Sequence, residues 1–181
     1  ECPSSPTYSC SSVPVAVTGG LTFRQVEFQG RAACGVTTSG TAYCWGSNWY
    51  DHLGFGTKSG PEQCAFVESN LQPCSRVPAV VPGTPNLVSL SRADTYTCGL
   101  TSTGVAYCWG YPQSIGDSNS DTAPVAVPGG LTFATLSAGQ YSACGVTTAG
   151  VAYCWGNNEY GQLGDGSTTS ATVPVKVAGQ P

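Results

Sequence analysis

This chain has little charge. Charged residues fill 9% of its 181 positions, against about 25% in ordinary globular domains. Six residues are Lys or Arg, scattered singly from Arg24 to Lys176, and ten are acidic, for a net charge of −4. Binding to nucleic acid relies on clustered cations that displace counterions. No cluster of that kind is present, so no nucleic-acid partner is expected, and an anionic membrane surface is disfavoured for the same reason. No apolar run approaches the ~20 residues of a membrane-spanning helix, so no membrane insertion is expected. No segment has the form of a secretory signal, and a chain opening at Glu1 without Met reads as an excerpt or a processed product. Methionine is absent and there is one histidine, His52. A triad built on His52 needs a Ser or Cys nucleophile and an orienting acid. Neighbouring Asp51 alone does not supply that grouping, and His52 reads as a loop histidine. No carboxylate pair is spaced for glycoside hydrolysis, and no glycine loop for phosphate precedes a helix. Asp117–Asp121 has the opening of a calcium loop but lacks its central Gly and closing Glu. No enzyme activity, cofactor or metal is therefore expected. Asn-x-Ser/Thr sequons are also missing, so N-glycosylation is not expected.

What the chain does contain is one phrase written three times. Cys34-Gly-Val-Thr-Thr-Ser-Gly-Thr-Ala-Tyr-Cys-Trp-Gly46 returns from Cys98 to Gly110 and from Cys144 to Gly156. A second phrase, Pro14-Val-Ala-Val-Thr-Gly-Gly-Leu-Thr-Phe23, precedes the first copy. It recurs from Pro124 to Phe133 and more weakly from Pro78. Self-similarity at a period of tens of residues is the signature of a solenoid or a propeller.

There are ten cysteines. Cys34/Cys44, Cys64/Cys74, Cys98/Cys108 and Cys144/Cys154 share one spacing, and Cys2/Cys10 is slightly tighter. Setting Cys34 opposite Cys44 places Val36 opposite Ala42 and leaves the three-residue loop Thr38-Ser39-Gly40. Such a loop calls for a glycine in the left-handed conformation. Directly opposite residues at a non-hydrogen-bonded position come within disulfide reach. Five hairpin disulfides are expected, and with them an oxidising compartment, extracellular or at the cell surface. Zinc sites pair cysteines at shorter spacings, often with histidines, and that pattern is absent.

Each repeat reads as four short strands, so the fold class is all-β: propeller-type four-stranded blades in tandem, three full blades plus an orphan outer strand, an open or partial propeller. The expected divisions are 1–17, an orphan outer strand with a stapled loop; 18–81, blade one with an insertion at 57–75; 82–127, blade two; and 128–181, blade three. The last strand of blade one is expected at Val77–Val81. The insertion, with Cys64 and Cys74, reads as a loop stapled on itself.

Together, Pro-Val-x-Val, Gly-Gly-Leu-Thr-Phe, Leu136-Ser-Ala-Gly139, the cysteine-bounded phrase and Asn158-x-x-Gly-Gln-Leu-Gly-Asp-Gly166 resemble the regulator of chromosome condensation repeat family. The similarity is greatest to its disulfide-bearing, secreted bacterial type. That resemblance implies blades of a propeller, usually seven-bladed, and family functions ranging from nucleotide exchange to ultraviolet sensing and β-lactamase inhibition. None transfers residue by residue. The chain departs from the family pattern at Asp51-His-Leu-Gly-Phe-Gly56, at a shortened loop Tyr111–Asp117, and at Ala32, Tyr96 and Ser142, where many members carry histidine.

Trp45, Trp109 and Trp155 recur once per blade and are expected in the core. Trp49 and Tyr50 lie outside the repeated pattern. They are either packed against the insertion or available as an anchor for a partner. An open array exposes an apolar face at each end. The expected role is a non-enzymatic extracellular structural protein that self-associates end to end into a filament or surface assembly. Its partners would be copies of itself or flanking blades. The alternative is a fragment of a secreted propeller that binds a protein or glycan through its loops.

Overall fold

The computed structural model describes residues 11–57, 59–67, 70–111 and 123–180. Among these residues all regular structure is β. The first sheet holds β1 (Phe23–Gln29), β2 (Ala32–Thr37), β3 (Ala42–Ser47), β4 (Glu62–Val67) and β5 (Asn70–Val80), in the order β1-β2-β3-β5-β4. The second holds β6 (Leu87–Arg92), β7 (Tyr96–Thr101), β8 (Ala106–Gly110) and β9 (Val125–Ala126) in sequence order. The third holds β10 (Phe133–Ala138), β11 (Ser142–Thr147), β12 (Ala152–Gly156) and β13 (Ala171–Lys176), also in sequence order. Every pairing is antiparallel, as in propeller blades. The first strands β1, β6 and β10 lie against one another in turn.

The repeated phrase folds as its spacing demands. Cys34 pairs with Cys44 and Val36 with Ala42. The Thr37 amide donates to Thr41 O, and Gly40 closes the turn at φ 89°. Cys98/Cys108 and Cys144/Cys154 occupy the same register. The three disulfides join Cα atoms 4.0–4.1 Å apart, the close approach of a non-hydrogen-bonded pair. Cys2 and Cys10 lie outside the described residues.

The first sheet departs from the four-strand expectation. The insertion is not a loop: it forms β4 and extends the outer strand back to Asn70, which makes a fifth strand. The cause is the pairing of β5, whose first half bonds both to β4 and to the end of β3, with Ser47 opposite Cys74. Cys64 and Cys74 are joined, but diagonally, because Cys64 stands opposite Gln72 and Cys74 opposite Glu62. Their Cα atoms are accordingly wider apart, at 5.9 Å. An Arg76–Glu62 ion pair ties the same two strands. The orphan segment Val13–Val17 enters no ladder among the described residues, and Val13, Val15 and Val17 are exposed.

Two cores lie between the sheets. Between the first and second are Val36, Ala42, the Cys34–Cys44 disulfide, Leu53, Val81, Leu87, Leu90 and Trp109. Between the second and third are Leu100, Ala106, the Cys98–Cys108 disulfide, Tyr96, Phe133 and Trp155. Each blade thus lays its first strand and its Trp on the disulfide of the blade before it. Burying this apolar surface between neighbouring units is what holds repeat arrays together.

Candidate functional site: end faces and a tyrosine basin

The contact between successive blades has two halves, and each half is left over at one end of the described array. In the middle blade the leading half is Leu87, Leu90 and Trp109, all buried. In the third it is Phe133, Leu136 and Trp155. A bulge in each first strand sets these residues on the leading side. The equivalent residues of the first blade are Phe23, Val26, Phe28 and Trp45. Phe23 and Trp45 pack together with ring centroids 5.7 Å apart, the same distance as Phe133 and Trp155. Here, however, Val26 is exposed, Phe28 is 70% exposed and Trp45 is partly open.

The trailing half is left over on blade three. Val36 is 0% exposed and Leu100 5%, while their counterpart Val146 is 38% exposed beside the Cys144–Cys154 disulfide. The backbone repeats the pattern. Gly40 O accepts from Leu87 N at 2.8 Å, and Gly104 O from Phe133 N at 2.7 Å. The next carbonyl in the series is that of Gly150, and a Cβ built there meets nothing within 4 Å.

Polar side chains pin the blades in register. Gln25 of the first blade both donates to Leu90 O and accepts from Leu90 N, at 3.0 and 2.8 Å, as a strand would. Ser91 Oγ accepts from Ala138 N at 2.8 Å. Buried Tyr96, at a position where histidine was noted as common, donates its hydroxyl to Ser142 O of the third blade at 2.6 Å. Burial raises its pKa. Arg92 crosses to the first blade, donating to Ala32 O at 3.2 Å, and donates within its own blade to Thr97 Oγ1 at 2.8 Å. Burial brings its pKa down to about 10, so it remains a cation at neutral pH.

His52 sits in the loop after β3 and is buried. Burial, with the positive charge of Arg92, pushes its pKa down to about 3. Its neighbourhood is structural, as the loop geometry shows. Asn48 Oδ1 accepts from Leu53 N at 3.0 Å, and Asn158 Oδ1 accepts from Leu163 N at 2.9 Å. The turns inside match too: Gly54 N donates to Asp51 O as Gly164 N does to Gly161 O. The departure noted at Asp51–Gly56 is therefore one of sequence and not of shape. Asp51 adopts the left-handed conformation, at φ 58°, that Gly161 adopts at φ 74°. This alignment gives Tyr50 a place in the repeated pattern, because it stands where Tyr160 does. Asp117–Asp121 lies outside the described residues, as does the rest of the loop after Tyr111.

Tyr50 is half-exposed and packs on Tyr111, with centroids 6.0 Å apart, and near His52 at 6.3 Å. Trp49 beside it is also half-exposed. Tyr50 and Tyr111 form one wall of an open basin of about 750 Å³ on the loop side of the array. Tyr141 and Tyr160 of the third blade form the other wall. The amides of Gln140, Asn157 and Gln162 and the carboxylate of Glu159 line it as well. Among the described residues no group of three or more His, Cys, Asp or Glu is placed to hold a metal. No described helix is long and apolar enough to cross a membrane.

Residues 133–162 and 149–181 match two models of the regulator of chromosome condensation repeat. The third blade carries that repeat. Its strand register, disulfide position and Trp are those of the two blades before it, so the three blades form one disulfide-bearing propeller array. No curated protein is significantly similar in sequence. Among solved structures, human WBSCR16 is similar over 94% of this chain and 44% of its own length, with a TM-score of 0.72 and 22% identity. Prp20p of Saccharomyces cerevisiae, described with its binding to Gsp1p and histones, is similar over 86% of this chain and 38% of its own, with a TM-score of 0.66 and 17% identity. Yeast RCC1 (Prp20) bound to Kap60 gives 90%, 36%, 0.65 and 19%. The chain thus spans less than half the length of these propellers, and at such identities the likeness is one of fold. Four disulfides point to folding in a non-reducing setting.

Proposed function

We propose that this chain is a non-enzymatic extracellular building block that stacks end to end with copies of itself. The observation that supports this is the match between its two open faces. The face of blade one offers Phe23, Val26, Phe28 and Trp45, the set that blades two and three press onto their predecessors. Blade three offers Val146, Ala152, the Cys144–Cys154 disulfide and the Gly150 carbonyl, the set that receives such a face elsewhere. A second copy supplies each half with its complement by the same contacts that already hold the blades together. The low charge of the chain offers little repulsion to the approach. A contact between unlike faces is heterologous. It closes into a ring or runs on as a filament according to the rotation per copy.

The test uses two blocked faces. Val146→Arg closes the trailing face and Phe28→Asp the leading face, each at a position already open to solvent. The wild-type chain, purified with its disulfides intact, should form rings or filaments by light scattering after gel filtration and by negative-stain electron microscopy. Each variant alone should be monomeric. Mixed in equal amounts, the two should form a one-to-one dimer through the two faces left intact. A wild-type chain that stays monomeric at about 100 μM, where even a contact of modest affinity is populated, overturns the proposal. So does assembly that survives both substitutions.

A further inference from the structure

We infer that the tyrosine basin is a binding site for a neutral saccharide. The inference stands apart from end-to-end stacking, because the basin is built from loops and not from the end faces. Its walls come from three blades: Tyr50 from the first, Tyr111 from the second, Tyr141 and Tyr160 from the third. Tyr160 is 90% exposed, and Tyr50 and Tyr141 are half-exposed. Three solvent-facing aromatic rings around one concavity form a concentrated apolar surface, the kind that marks a binding site and not scattered surface residues. The volume, about 750 Å³, falls within the range of small-ligand clefts.

The chemistry of the lining selects the ligand class. Among the described residues no Lys or Arg lines the basin, so a phosphate or a nucleotide finds no counter-charge from them. The one carboxyl group among the described lining residues, that of Glu159, disfavours an acidic ligand as well. A protein hot spot sets an aliphatic or aromatic anchor in a desolvated pocket with the polar groups outside it. Here rings and amides line the same cavity. A pyranose has the matching pattern, with flat C–H faces that lie on aromatic rings and hydroxyls around its edge that seek amides.

The amides are held in place before any ligand arrives. Gln162 Nε2 donates to Asn157 Oδ1 at 2.6 Å, and Gln162 Oε1 accepts from Tyr160 N at 2.9 Å. Asn157 is itself fixed by its backbone, whose N–H donates to Tyr141 O at 2.8 Å. With those bonds made, the Asn157 amide nitrogen keeps its two donors uncommitted among the described residues. Preorganised donors lose less entropy on binding than mobile ones. Tyr160 and Tyr141 stand on the same short bonded network, which links ring positions to amide positions.

The experiment titrates the intact, oxidised chain by calorimetry and by saturation-transfer NMR. The probes are cellohexaose, maltohexaose, chitohexaose, mannohexaose and xylohexaose, with an oligogalacturonate as the acidic counterpart. At least one neutral hexasaccharide should bind saturably with a dissociation constant of about 1 mM or below. Tyr160→Ala and Tyr141→Ala should each weaken it about three- to tenfold, the loss of one ring contact. Tyr160→Phe should bind as the wild type does, since the ring is retained. Both positions are solvent-exposed, and an unchanged far-ultraviolet circular dichroism spectrum confirms that the variants fold. Failure of all five neutral probes to saturate overturns the inference, as does binding unchanged in the Tyr141→Ala, Tyr160→Ala double variant. Binding of the oligogalacturonate alone overturns it too, because the basin would then favour charge.

Discussion

Trp109 and Trp45 hold the same place in consecutive repeats but have different surroundings, and that difference can be measured. Trp109 is fully buried between the first two blades, among Leu53, Val81 and Leu87. Trp45 lies partly open on the leading face of blade one. Full truncation of a buried Trp to Ala costs about 3–5 kcal/mol. Trp109 Nε1 has no hydrogen-bond partner among the described residues, so truncation also removes a buried unsatisfied donor that itself costs about 1–3 kcal/mol. Trp109→Ala should therefore destabilise by about 3 kcal/mol, near the lower end of the range. Trp45→Ala in the dilute monomer should cost less, about half as much, since part of its surface already faces water. The assay is urea unfolding under non-reducing conditions, followed by circular dichroism, with m-values compared to verify that the same transition is read. Raising the protein concentration into the stacking range should increase the cost of Trp45→Ala toward that of Trp109→Ala, by mass action. Equal costs in the dilute monomer, or a cost for Trp109→Ala below about 1 kcal/mol, would refute this account of the blade contact.

Three further outcomes are expected. Replacing Cys34 and Cys44 together by Ala should cost about 2–3 kcal/mol, the chain-entropy value for so short a loop, read as a shift in the urea midpoint. Gly110 has φ 118°, and a Cβ there would fall 2.5 Å from Thr95 O, whereas Gly150 at φ 81° has open space around it. Gly110→Ala should accordingly cost well over 2 kcal/mol and Gly150→Ala about 1 kcal/mol by melting, the second reflecting only the positive φ. His52 has a folded pKa near 3 against an ordinary value of 6.5. The unfolded chain thus binds the extra proton first, and the stability from a neutral buried imidazole is complete above about pH 6.5 and lost as pH falls toward 3. Between those values the wild type should lose up to about 1.4 kcal/mol per pH unit more than His52→Asn, by urea titration across pH. Parallel pH profiles for the two proteins would count against it.

The blades were legible because their information is local. Alternation with period two, a glycine at the turn and cysteines at one spacing are set within a dozen residues. The hairpins at Cys34–Cys44, Cys98–Cys108 and Cys144–Cys154 follow from that register alone. The insertion was not legible, because Cys64 and Cys74 repeat the spacing without the turn. Whether such a pair stands opposite or diagonal depends on the strand beside it. Here the end of β3 takes Cys74 as a partner and shifts the ladder. Tyr50 was misplaced for a different reason. The loop motif that contains it is marked by Gly161 in the third repeat, and Asp51 hides the likeness by taking the same left-handed conformation.

By itself the sequence determined the all-β blades, their order and the three hairpin disulfides, since each rests on neighbours in the chain. Only the tertiary structure decided which faces remain open and which rings meet. Phe28 is exposed while Leu90 is buried, although both belong to the same kind of strand, because a blade lies over one and not over the other. Tyr50, Tyr111 and Tyr160 stand 61 and 49 residues apart in sequence. They line one basin because successive blades turn the ends of β3, β8 and β12 to the same side.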